Sequence, residues 1–371
     1  MRAKAATALL LILLLVGTVP LAGAEEEKRY AFRTTYVFEN RGNSTYVLTE
    51  DDASIVIFVD DDWQTVTTRN ASHRVVRQYE DVDGNPIAVM DLPPELPPSS
   101  SVLFSMEYVI KSTDRMMPEI APEIAGTPSD IPQRLVDEFC LETETYRMDD
   151  EIEYLARRIT AGEITVLGVV TRLVGWILEN VTYGNFEVPR YPHETIGDRR
   201  GDCDDQAILL ITMLRSLGVP SLLQIGVVFS DGIDSERTSW DDHLTIVQKG
   251  IGWHGWAMVY VPPWGWLPVD LTLTGSEDPM DAITKAPEYA SYVVTAYNVS
   301  RQTYVGDSRA SRERITSSSV YITLTDLALA ERASTDWLRI VYIFTGMLAG
   351  GAFVAFIIVM NRRRRILGYS L

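Results

Sequence analysis

The sequence predicts an α+β protein whose first third is built of strands. Apolar residues alternate with polar ones at 30–38 and again at 102–110, which is the two-residue period of a half-buried strand. Between 152 and 177 the apolar residues lie three or four apart, as on one face of a helix. From residue 222 onward β-like runs return. Helices followed by strands are typical of an α+β domain.

Residues 25–114 are predicted to form a small β-sandwich, because several short strands are separated by turn clusters. The alternating apolar residues are Tyr30, Phe32, Tyr36 and Phe38 in one segment, and Val102, Phe104, Met106, Tyr108 and Ile110 in another. A β-branched run at Ile55–Val59 adds a further strand. The stretch Asp81–Pro86 resembles a calcium loop, but its glycine is fourth instead of sixth and no glutamate is twelfth. A turn is therefore the favoured interpretation.

Residues 115–275 are predicted to form the α+β domain itself. Helices are expected around 152–159, around 169–177 and from Asp202 to Gly218. Strands are expected at 222–229, 244–248, 256–261 and 266–269. Residues 276–336 are mixed and polar, with a β-like patch at Val320–Leu324. This stretch is predicted to be a connector that packs on the domain or leads to a membrane.

Apolar segments at the two ends predict a single-pass, type I protein of the cell membrane. Residues 1–24 combine a positive start, an uncharged run and an A-x-A motif, as a secretory signal peptide does; an uncleaved anchor is the alternative. Ile340 to Met360 holds 21 uncharged residues, enough to cross about 30 Å of hydrocarbon. This predicts a transmembrane helix at 337–360 and a basic cytoplasmic tail at 361–371. The remainder would face the outside.

The charge balance excludes one large class of function. The chain has 33 Lys and Arg against 51 Asp and Glu, for a net charge of −18. A nucleic-acid binder would need a basic face over the phosphates, so nucleic acid is not an expected partner. Two cysteines are too few for a disulfide scaffold or a four-cysteine zinc site. Sequons at Asn43, Asn70, Asn180 and Asn298 suit an exported glycoprotein.

Cys203 is the candidate nucleophile. Asp202 is a good N-cap residue, and Gly218 with Pro220 predicts the end of the same helix. Cys203 then falls in the first helical turn, where backbone N–H groups and the helix dipole favour a thiolate. The aspartates that flank it act in the opposite direction, because nearby negative charge raises the pKa of a thiol. An imidazolium partner would therefore matter more than the helix, and a buried structural cysteine is the alternative.

His254 and Asp270 are the candidate partners. His254 opens one strand-like segment and Asp270 closes the next, with a tight turn predicted at Pro262–Gly265. Paired as a hairpin, the two strands would bring these side chains together. A thiol, a base and a carboxylate that orients the base form a nucleophilic triad of the Cys-His-Asp type. A structural histidine is the alternative for His254.

Other residues offer competing interpretations. His243 is a rival base, although it lacks the tryptophan and the downstream aspartate spacing of His254. His73 and His193 are expected on the surface or in loops. Cys140 could form a disulfide with Cys203 in an oxidising exterior, which would silence the nucleophile. Five tryptophans, at 240, 253, 256, 264 and 266, suggest an aromatic cleft, although at least half of them are expected in core or turn positions.

From about residue 150 to 272 the chain resembles the transglutaminase-like superfamily, which has a papain-related fold. Three ordered blocks carry the resemblance: Gly201-Asp202-Cys203 with Arg215-Ser216-Leu217-Gly218-Val219-Pro220, His254-Gly255-Trp256, and Trp266-Leu267-Pro268-Val269-Asp270-Leu271-Thr272. The resemblance implies Cys203 as nucleophile, His254 as base and Asp270 as its orienting group. Gly255 replaces the usual Ala or Ser, and Met258 stands where many members carry Glu.

The resemblance implies a cysteine enzyme that acts on amide or peptide bonds of a protein or peptide, through a thioester. Hydrolysis is expected in preference to cross-linking, since prokaryotic-looking members of the superfamily are mostly suspected proteases. The alternative is a catalytically silent surface module with a binding or cell-envelope role. This chemistry needs no cofactor or metal, and the sequence contains no motif for one. The N–H of Cys203 is the one oxyanion donor expected from geometry.

Overall fold

One eight-stranded sheet connects the beginning, the middle and the end of the described chain. The computed structural model describes residues 27–329. The predicted signal peptide, transmembrane helix and basic tail lie outside these residues. Within residues 27–329 no helix combines the length and apolarity that a membrane span requires.

Fifteen strands are described in this part of the chain. They are β1 (Lys28–Asn40), β2 (Tyr46–Val47), β3 (Ser54–Val56), β4 (Gln64–Ala71), β5 (Val75–Glu80), β6 (Pro86–Met90), β7 (Glu95–Leu96), β8 (Ser100–Ser112), β9 (Thr182–Tyr183), β10 (Arg200–Gly201), β11 (Ser221–Ser239), β12 (Leu244–Val261), β13 (Gly265–Val269), β14 (Val293–Val299) and β15 (Val320–Leu329). The helices are α1 (Gln133–Phe139), α2 (Asp150–Ile159), α3 (Val166–Asn180), α4 (Pro192–Asp198), α5 (Cys203–Ser216), α6 (Asp281–Thr284) and α7 (Tyr304–Thr316).

The order of the large sheet is β14-β11-β12-β15-β1-β8-β4, with β13 paired to β12. All of its pairs are antiparallel except β12 with β15. Helix α5 packs on β11 and β12, and helices α2 and α3 pack against α5. The sequence predicted an α+β protein, and the mixture of helices and strands is confirmed.

The N-terminal strands form two layers, but one layer belongs to the large sheet. Strands β1, β8 and β4 are continuous with it through the β1–β15 pairing, while β3, β6 and β5 form a separate three-stranded sheet. The apolar residues with a two-residue period face a shared core: Phe32, Phe104 and Tyr108 are each at most 1% exposed. Strands on either side of the predicted boundary between residues 114 and 115 pair in one sheet, because β1 pairs with β15. The boundary itself stays a prediction.

The segment predicted as a connector is folded over its described part. Residues 276–329 contain α6, β14, α7 and β15, and β15 lies between β12 and β1. The β-like patch at Val320–Leu324 is the start of β15. The rest of the segment gave no clear signal because α7 buries only Val305 and Ile315 and therefore lacks a strong apolar stripe.

Helix α5 is the centre of the main core. Every residue from Asp205 to Arg215 is buried. The helix ends as predicted: Gly218 has φ +77° and the N–H of Val219 donates to the carbonyl of Leu214. The buried Arg215 side chain then donates to the carbonyl oxygen of Ser221, at 2.9 Å, and joins the end of α5 to β11.

The stretch Asp81–Pro86 is a turn between β5 and β6, as the sequence predicted. The Asp83 side chain is only 1% exposed. Its carboxylate accepts the backbone N–H groups of Ser300, Arg301 and Gln302 at 2.8, 2.9 and 3.1 Å. The turn of the N-terminal layer therefore fixes the loop that precedes α7.

We expect Asp83→Asn to lower the free energy of unfolding by about 1–3 kcal/mol, because three backbone N–H groups lose the charged acceptor that the buried carboxylate provides. Asp91→Asn is the matched control, since the Arg74–Asp91 pair is exposed and such pairs contribute about 0–1 kcal/mol. Urea denaturation of both variants measures the difference. Equal losses would mean that the Asp83 contacts do not fix the loop.

Candidate active site

Cys203 is the first residue of α5, and Asp202 is the N-cap residue before it. The N–H of Asp202 donates to the carboxylate of Asp205 at 3.2 Å. The other carboxylate oxygen of Asp205 accepts the N–H of Arg190 at 2.7 Å. Asp205 therefore ties the start of the helix to the chain that precedes α4. The predicted position of Cys203 in the first turn of a helix is confirmed.

The surroundings of Cys203 oppose the thiolate more strongly than the sequence indicated. Burial raises the pKa of the Cys203 thiol well above its ordinary value, and the charges of Asp204 and Asp202 add to this effect. The N–H groups of Gly255 and Asp204 act in the opposite direction. The thiol in the resting protein is therefore neutral, and activation requires a base.

The acids beside Cys203 are themselves perturbed. Burial, followed by the charge of Asp202, raises the pKa of Asp204 well above its ordinary value. Burial and Asp204 raise the pKa of Asp205 to about 7. The Asp204 carboxyl also accepts the hydroxyl of Tyr304, the first residue of α7, at 2.9 Å. Tyr304 is a neighbour of the site that sequence reasoning missed, because no local pattern relates α7 to α5.

His254 lies inside β12 and is 5% exposed. The predicted runs at 244–248 and 256–261 are one continuous strand, so His254 does not open a strand. The glycines at 250 and 252 and Lys249 interrupt the apolar pattern, and the ladder with β11 shifts its register here, since Ile251 pairs with Phe229 and Lys249 with Asp234. The imidazole stacks on the ring of Trp256 with 5.8 Å between the centroids.

Gly255 brings β12 close to the start of α5. A Cβ at this position would lie 3.0 Å from the Cβ of Asp204 and 3.0 Å from Cδ1 of Ile225. These distances are shorter than ordinary carbon contacts, so an alanine would press the strand away from the helix. The departure from Ala or Ser noted in the sequence therefore has a steric reason. The same approach places the N–H of Gly255 at the Cys203 sulfur.

Asp270 follows β13 directly and is fully buried. Its Oδ2 lies 2.6 Å from Nε2 of His254. Its Oδ1 accepts the N–H groups of Thr272 and Leu273 at 2.8 and 2.9 Å. The hairpin predicted from the turn at Pro262–Gly265 therefore brings His254 and Asp270 together.

The Asp270 carboxylate is ionised in the folded protein. Burial alone would raise its pKa, but the hydrogen bond and charge of His254, with the hydrogen bond from the N–H of Leu273, lower the pKa to about 2. An anion opposite Nε2 assigns the proton to that nitrogen. The other ring nitrogen, Nδ1, is left for a second partner.

Cys203 and His254 line one cavity of about 770 Å³. Its wall also includes side chains from the N-terminal layer, such as Phe32, Tyr36 and Phe58. Further lining residues come from the segment before α4 (Tyr183, Asn185, Phe186, Glu187, Val188 and Pro189). The cavity thus lies where the helical core and the N-terminal strands meet. Sequence reasoning placed no N-terminal residue at the site.

The rival histidines have structural surroundings. Nδ1 of His243 is 2.7 Å from the carbonyl oxygen of Val320, and its ring stacks on Tyr321. His243 does not line the cavity. His193 is exposed, and His73 is half-buried with its ring beside Ser72. His254 is therefore the histidine that shares the cavity with Cys203.

Cys140 and Cys203 are both free thiols in the described chain. Burial raises the pKa of Cys140 to about 11. Of the five tryptophans, Trp253 lines the cavity, and Trp256 is buried in the core at 1% exposure. The expectation that most of them serve core or turn positions is supported.

Two groups of side chains bring possible metal ligands within 4.8 Å of one another: Asp202, Cys203 and Asp204, and His254, Asp270 and Glu288. In the second group the separation of Nε2 and Oδ2 is 2.6 Å. Two ligands of one ion, each about 2.0–2.2 Å from it, would lie about 3 Å apart or more. The pair therefore has the geometry of a hydrogen bond. The expectation that the chemistry needs no cofactor stays a prediction.

Residues 153–271 match the transglutaminase-like superfamily. This transglutaminase-like stretch contains Cys203, His254 and Asp270. The resemblance inferred from the three sequence blocks is thereby confirmed. The catalytic roles of the three residues stay a prediction. A search of curated proteins found no significant match to the sequence.

Several solved structures are similar to the chain at low identity. A proposed cysteine protease from Cytophaga hutchinsonii is 15% identical with a TM-score of 0.47, and the alignment covers 83% of this chain and 93% of that one. The periplasmic domain of TgpA from Pseudomonas aeruginosa is 12% identical with a TM-score of 0.33, covering 73% and 93%. A proposed protease from Parabacteroides distasonis is 12% identical with a TM-score of 0.27, covering 76% and 69%.

Because the pKa of Asp270 is low, the folded protein should lose stability in acid. Because the pKa is about 2 in the folded protein and about 3.9 in the unfolded chain, the ionised carboxylate stabilises the fold above about pH 4. This contribution, about 2–3 kcal/mol, is lost as the pH falls from about 4 to 2. We expect the free energy of unfolding to fall more steeply over this window in the wild type than in Asp270→Asn. Parallel curves from urea denaturation would contradict the assignment.

Proposed function

We propose that this protein is a thiol enzyme that cleaves amide or peptide bonds by acyl transfer to Cys203. The observation that carries the proposal is the 2.6 Å contact of the buried His254 with Asp270, in a cavity that Cys203 also lines. A thiol beside an oriented base is the arrangement that nucleophilic catalysis requires. The match of residues 153–271 to the transglutaminase-like superfamily supports a cysteine-dependent enzyme in general.

In the first half of the reaction, the sulfur of Cys203 bonds to the carbonyl carbon of the substrate. The thiol proton passes to Nδ1 of His254, since Nε2 faces Asp270. The carbonyl oxygen becomes an oxyanion, and the N–H of Cys203 at the start of α5 is one donor for it. The carbon–nitrogen bond then breaks, and the imidazolium returns its proton to the leaving amine.

In the second half, a water molecule attacks the thioester. His254 removes a proton from the water, and the carbon–sulfur bond breaks to release the carboxylic acid and the thiol. Asp270 keeps its negative charge throughout and stabilises the imidazolium twice in each cycle. An amine in place of water would give transamidation by the same steps. The preference for hydrolysis comes from the superfamily resemblance and from no residue of the site.

The state of the thiol decides which form of the mechanism applies. Because the pKa of Cys203 is raised by burial and by its acidic neighbours, the thiol keeps its proton in the resting protein. His254 then acts as a general base during the attack, as in serine hydrolases, and contributes roughly 10²–10⁴-fold. A thiolate–imidazolium pair that forms before the substrate binds is disfavoured, because burial and the acidic neighbours oppose the thiolate.

The cavity suits part of a protein or peptide chain as substrate. Its volume of about 770 Å³ is large compared with one side chain, and aromatic side chains such as Phe32, Phe58 and Trp253 line it. The sequence predicts that residues 25–336 lie outside the cell membrane, held by the span at 337–360. We propose cell-envelope or extracellular proteins as the substrates for that reason. Residues 27–329, which include the whole site, belong to that outer part.

A catalytically silent surface module is the alternative from another class of function. Such a module would use the fold for binding or as a spacer of the cell envelope. A binding module has no chemical need for a buried Asp270 that orients His254. The alternative therefore predicts ordinary reactivity for Cys203.

Alkylation by iodoacetamide distinguishes the two, with the full-length chain as the sample. At pH 7 we expect Cys203 to react about tenfold faster, or more, in the wild type than in His254→Gln, because the imidazole accepts the thiol proton. Peptide mass spectrometry identifies which cysteine carries the label. Cys140 is the internal control, since its thiol is half-buried with a pKa raised to about 11.

Cys140→Ala should leave the fast labelling unchanged, whereas Cys203→Ala should abolish it. Equal rates for Cys203 in the wild type and in His254→Gln would favour the silent module. Circular dichroism of His254→Gln and Cys203→Ala checks that each variant is folded, so that a loss of fold is not mistaken for a loss of reactivity.

A further inference from the structure

Glu288 has a buried carboxyl group beside His254 and Asp270, and it takes no part in the proposed acyl transfer. It lies in a single 3-10 turn, Pro287–Tyr289, between α6 and β14, and is fully buried. Its Oε1 is 3.7 Å from Nε2 of His254. Glu288 is also close to Asp270: one side-chain nitrogen or oxygen atom from each of His254, Asp270 and Glu288 lies within 4.8 Å of the other two.

The two buried carboxyl groups have different surroundings. Asp270 faces three donors: Nε2 of His254 and the N–H groups of Thr272 and Leu273. Neither oxygen of Glu288 has a donor among the described residues. Two adjacent buried carboxylates cannot both be charged, and the group without donors is the one that keeps a proton. Asp270 is therefore the anion and Glu288 the neutral acid.

We propose that Glu288 is a protonated carboxylic acid whose O–H donates to the Asp270 carboxylate, and that it positions the Asp270–His254 pair. The inference rests on the proposed function, since it assigns a role at the same site. Glu288 is a positioning residue, because it acts through Asp270 and lines no part of the cavity that holds Cys203.

The charged groups around Glu288 agree with this assignment. Burial, followed by the charge of Asp270, raises the pKa of Glu288 well above its ordinary value. Arg115, from the segment after β8, acts weakly in the opposite direction. The Arg115 guanidinium is itself held by Asp61 and by the hydroxyl of Thr295, at 3.4 and 3.2 Å. Tyr289 follows Glu288, and burial raises the pKa of its hydroxyl, so it adds no charge near neutral pH.

The hydrogen bond has a consequence for the chemistry. When His254 becomes an imidazolium, its Nε2 proton faces the Asp270 carboxylate. A carboxylate that already accepts a proton donor from Glu288 is a weaker base, so the imidazolium proton stays on the ring. The same bond leaves Oδ2 in line with Nε2. Loss of the donor would allow Asp270 to turn or to share the imidazolium proton.

Two variants of the full-length protein test whether Glu288 acts as a hydrogen-bond donor or only fills volume in the core. Glu288→Gln keeps a neutral N–H donor of nearly the same shape, and Glu288→Met keeps the volume without a donor. We expect the rate of Cys203 alkylation at pH 7 to stay within about threefold of wild type in Glu288→Gln and to fall about tenfold or more in Glu288→Met. Thermal unfolding of both variants monitors the fold.

Infrared difference spectroscopy tests the protonation state without catalysis. Wild type minus Glu288→Gln at neutral pH should contain the carbonyl stretch of a protonated carboxylic acid. No such band, or equal alkylation rates in Glu288→Met and wild type, would overturn the proposal. If Glu288→Met does not fold, the spectrum and the rate of Glu288→Gln decide.

The two proposals fail in different ways. A protonated-acid band, with Cys203 no faster than in His254→Gln, would leave Glu288 as the neutral acid and would overturn the proposed enzyme activity. An activated Cys203 without the band would support the enzyme and overturn the assignment of Glu288.

Discussion

The close approach of β12 to the first turn of α5 is the contact on which the candidate site depends. Gly255 has no side chain, so the strand backbone lies against Asp204. That approach sets the N–H of Gly255 beside the Cys203 sulfur and places His254, one residue earlier, in the same cavity. The long hairpin of β11 and β12 holds the strand in this position through a continuous ladder on both sides of His254.

Burial governs the electrostatics of the site. The same low-dielectric surroundings raise the pKa of Cys203, Asp204 and Glu288, because each would have to carry a poorly solvated charge. Asp270 is the exception, since His254 and two backbone N–H groups hold its charge. The Asp270 carboxylate, held by its hydrogen-bond donors, gives the base a fixed orientation, while burial keeps the proton on the Cys203 thiol.

Local sequence patterns predicted the parts of the structure that local physics determines. The capped helix α5, the Asp81–Pro86 turn and the hairpin that joins His254 to Asp270 follow from residue types at short spacing. The length of β12 was underestimated because two glycines interrupt its apolar pattern, whereas the strand continues across a register shift in its ladder with β11. The superfamily blocks named Cys203, His254 and Asp270 without giving their surroundings.

The features that the sequence did not predict depend on contacts between segments that are far apart in the chain. Strand β15 joins the N-terminal strands to β12, and its own sequence predicts a strand without indicating which strands it pairs with. Glu288 and Tyr304 reach the site from a stretch without clear periodicity, so their neighbours appear only once the chain has folded. The aromatic wall of the cavity comes from strands that the sequence assigned to a separate sandwich.

Detection of a thioester on Cys203 tests the central claim most directly. The full-length protein is mixed with an activated acyl amide, quenched in acid and digested for peptide mass spectrometry. We predict an acyl adduct on Cys203 that hydroxylamine removes, that accumulates in His254→Gln far more slowly, and that is missing in Cys203→Ala. An adduct confined to Cys140, or equal amounts in wild type and His254→Gln, would contradict the account.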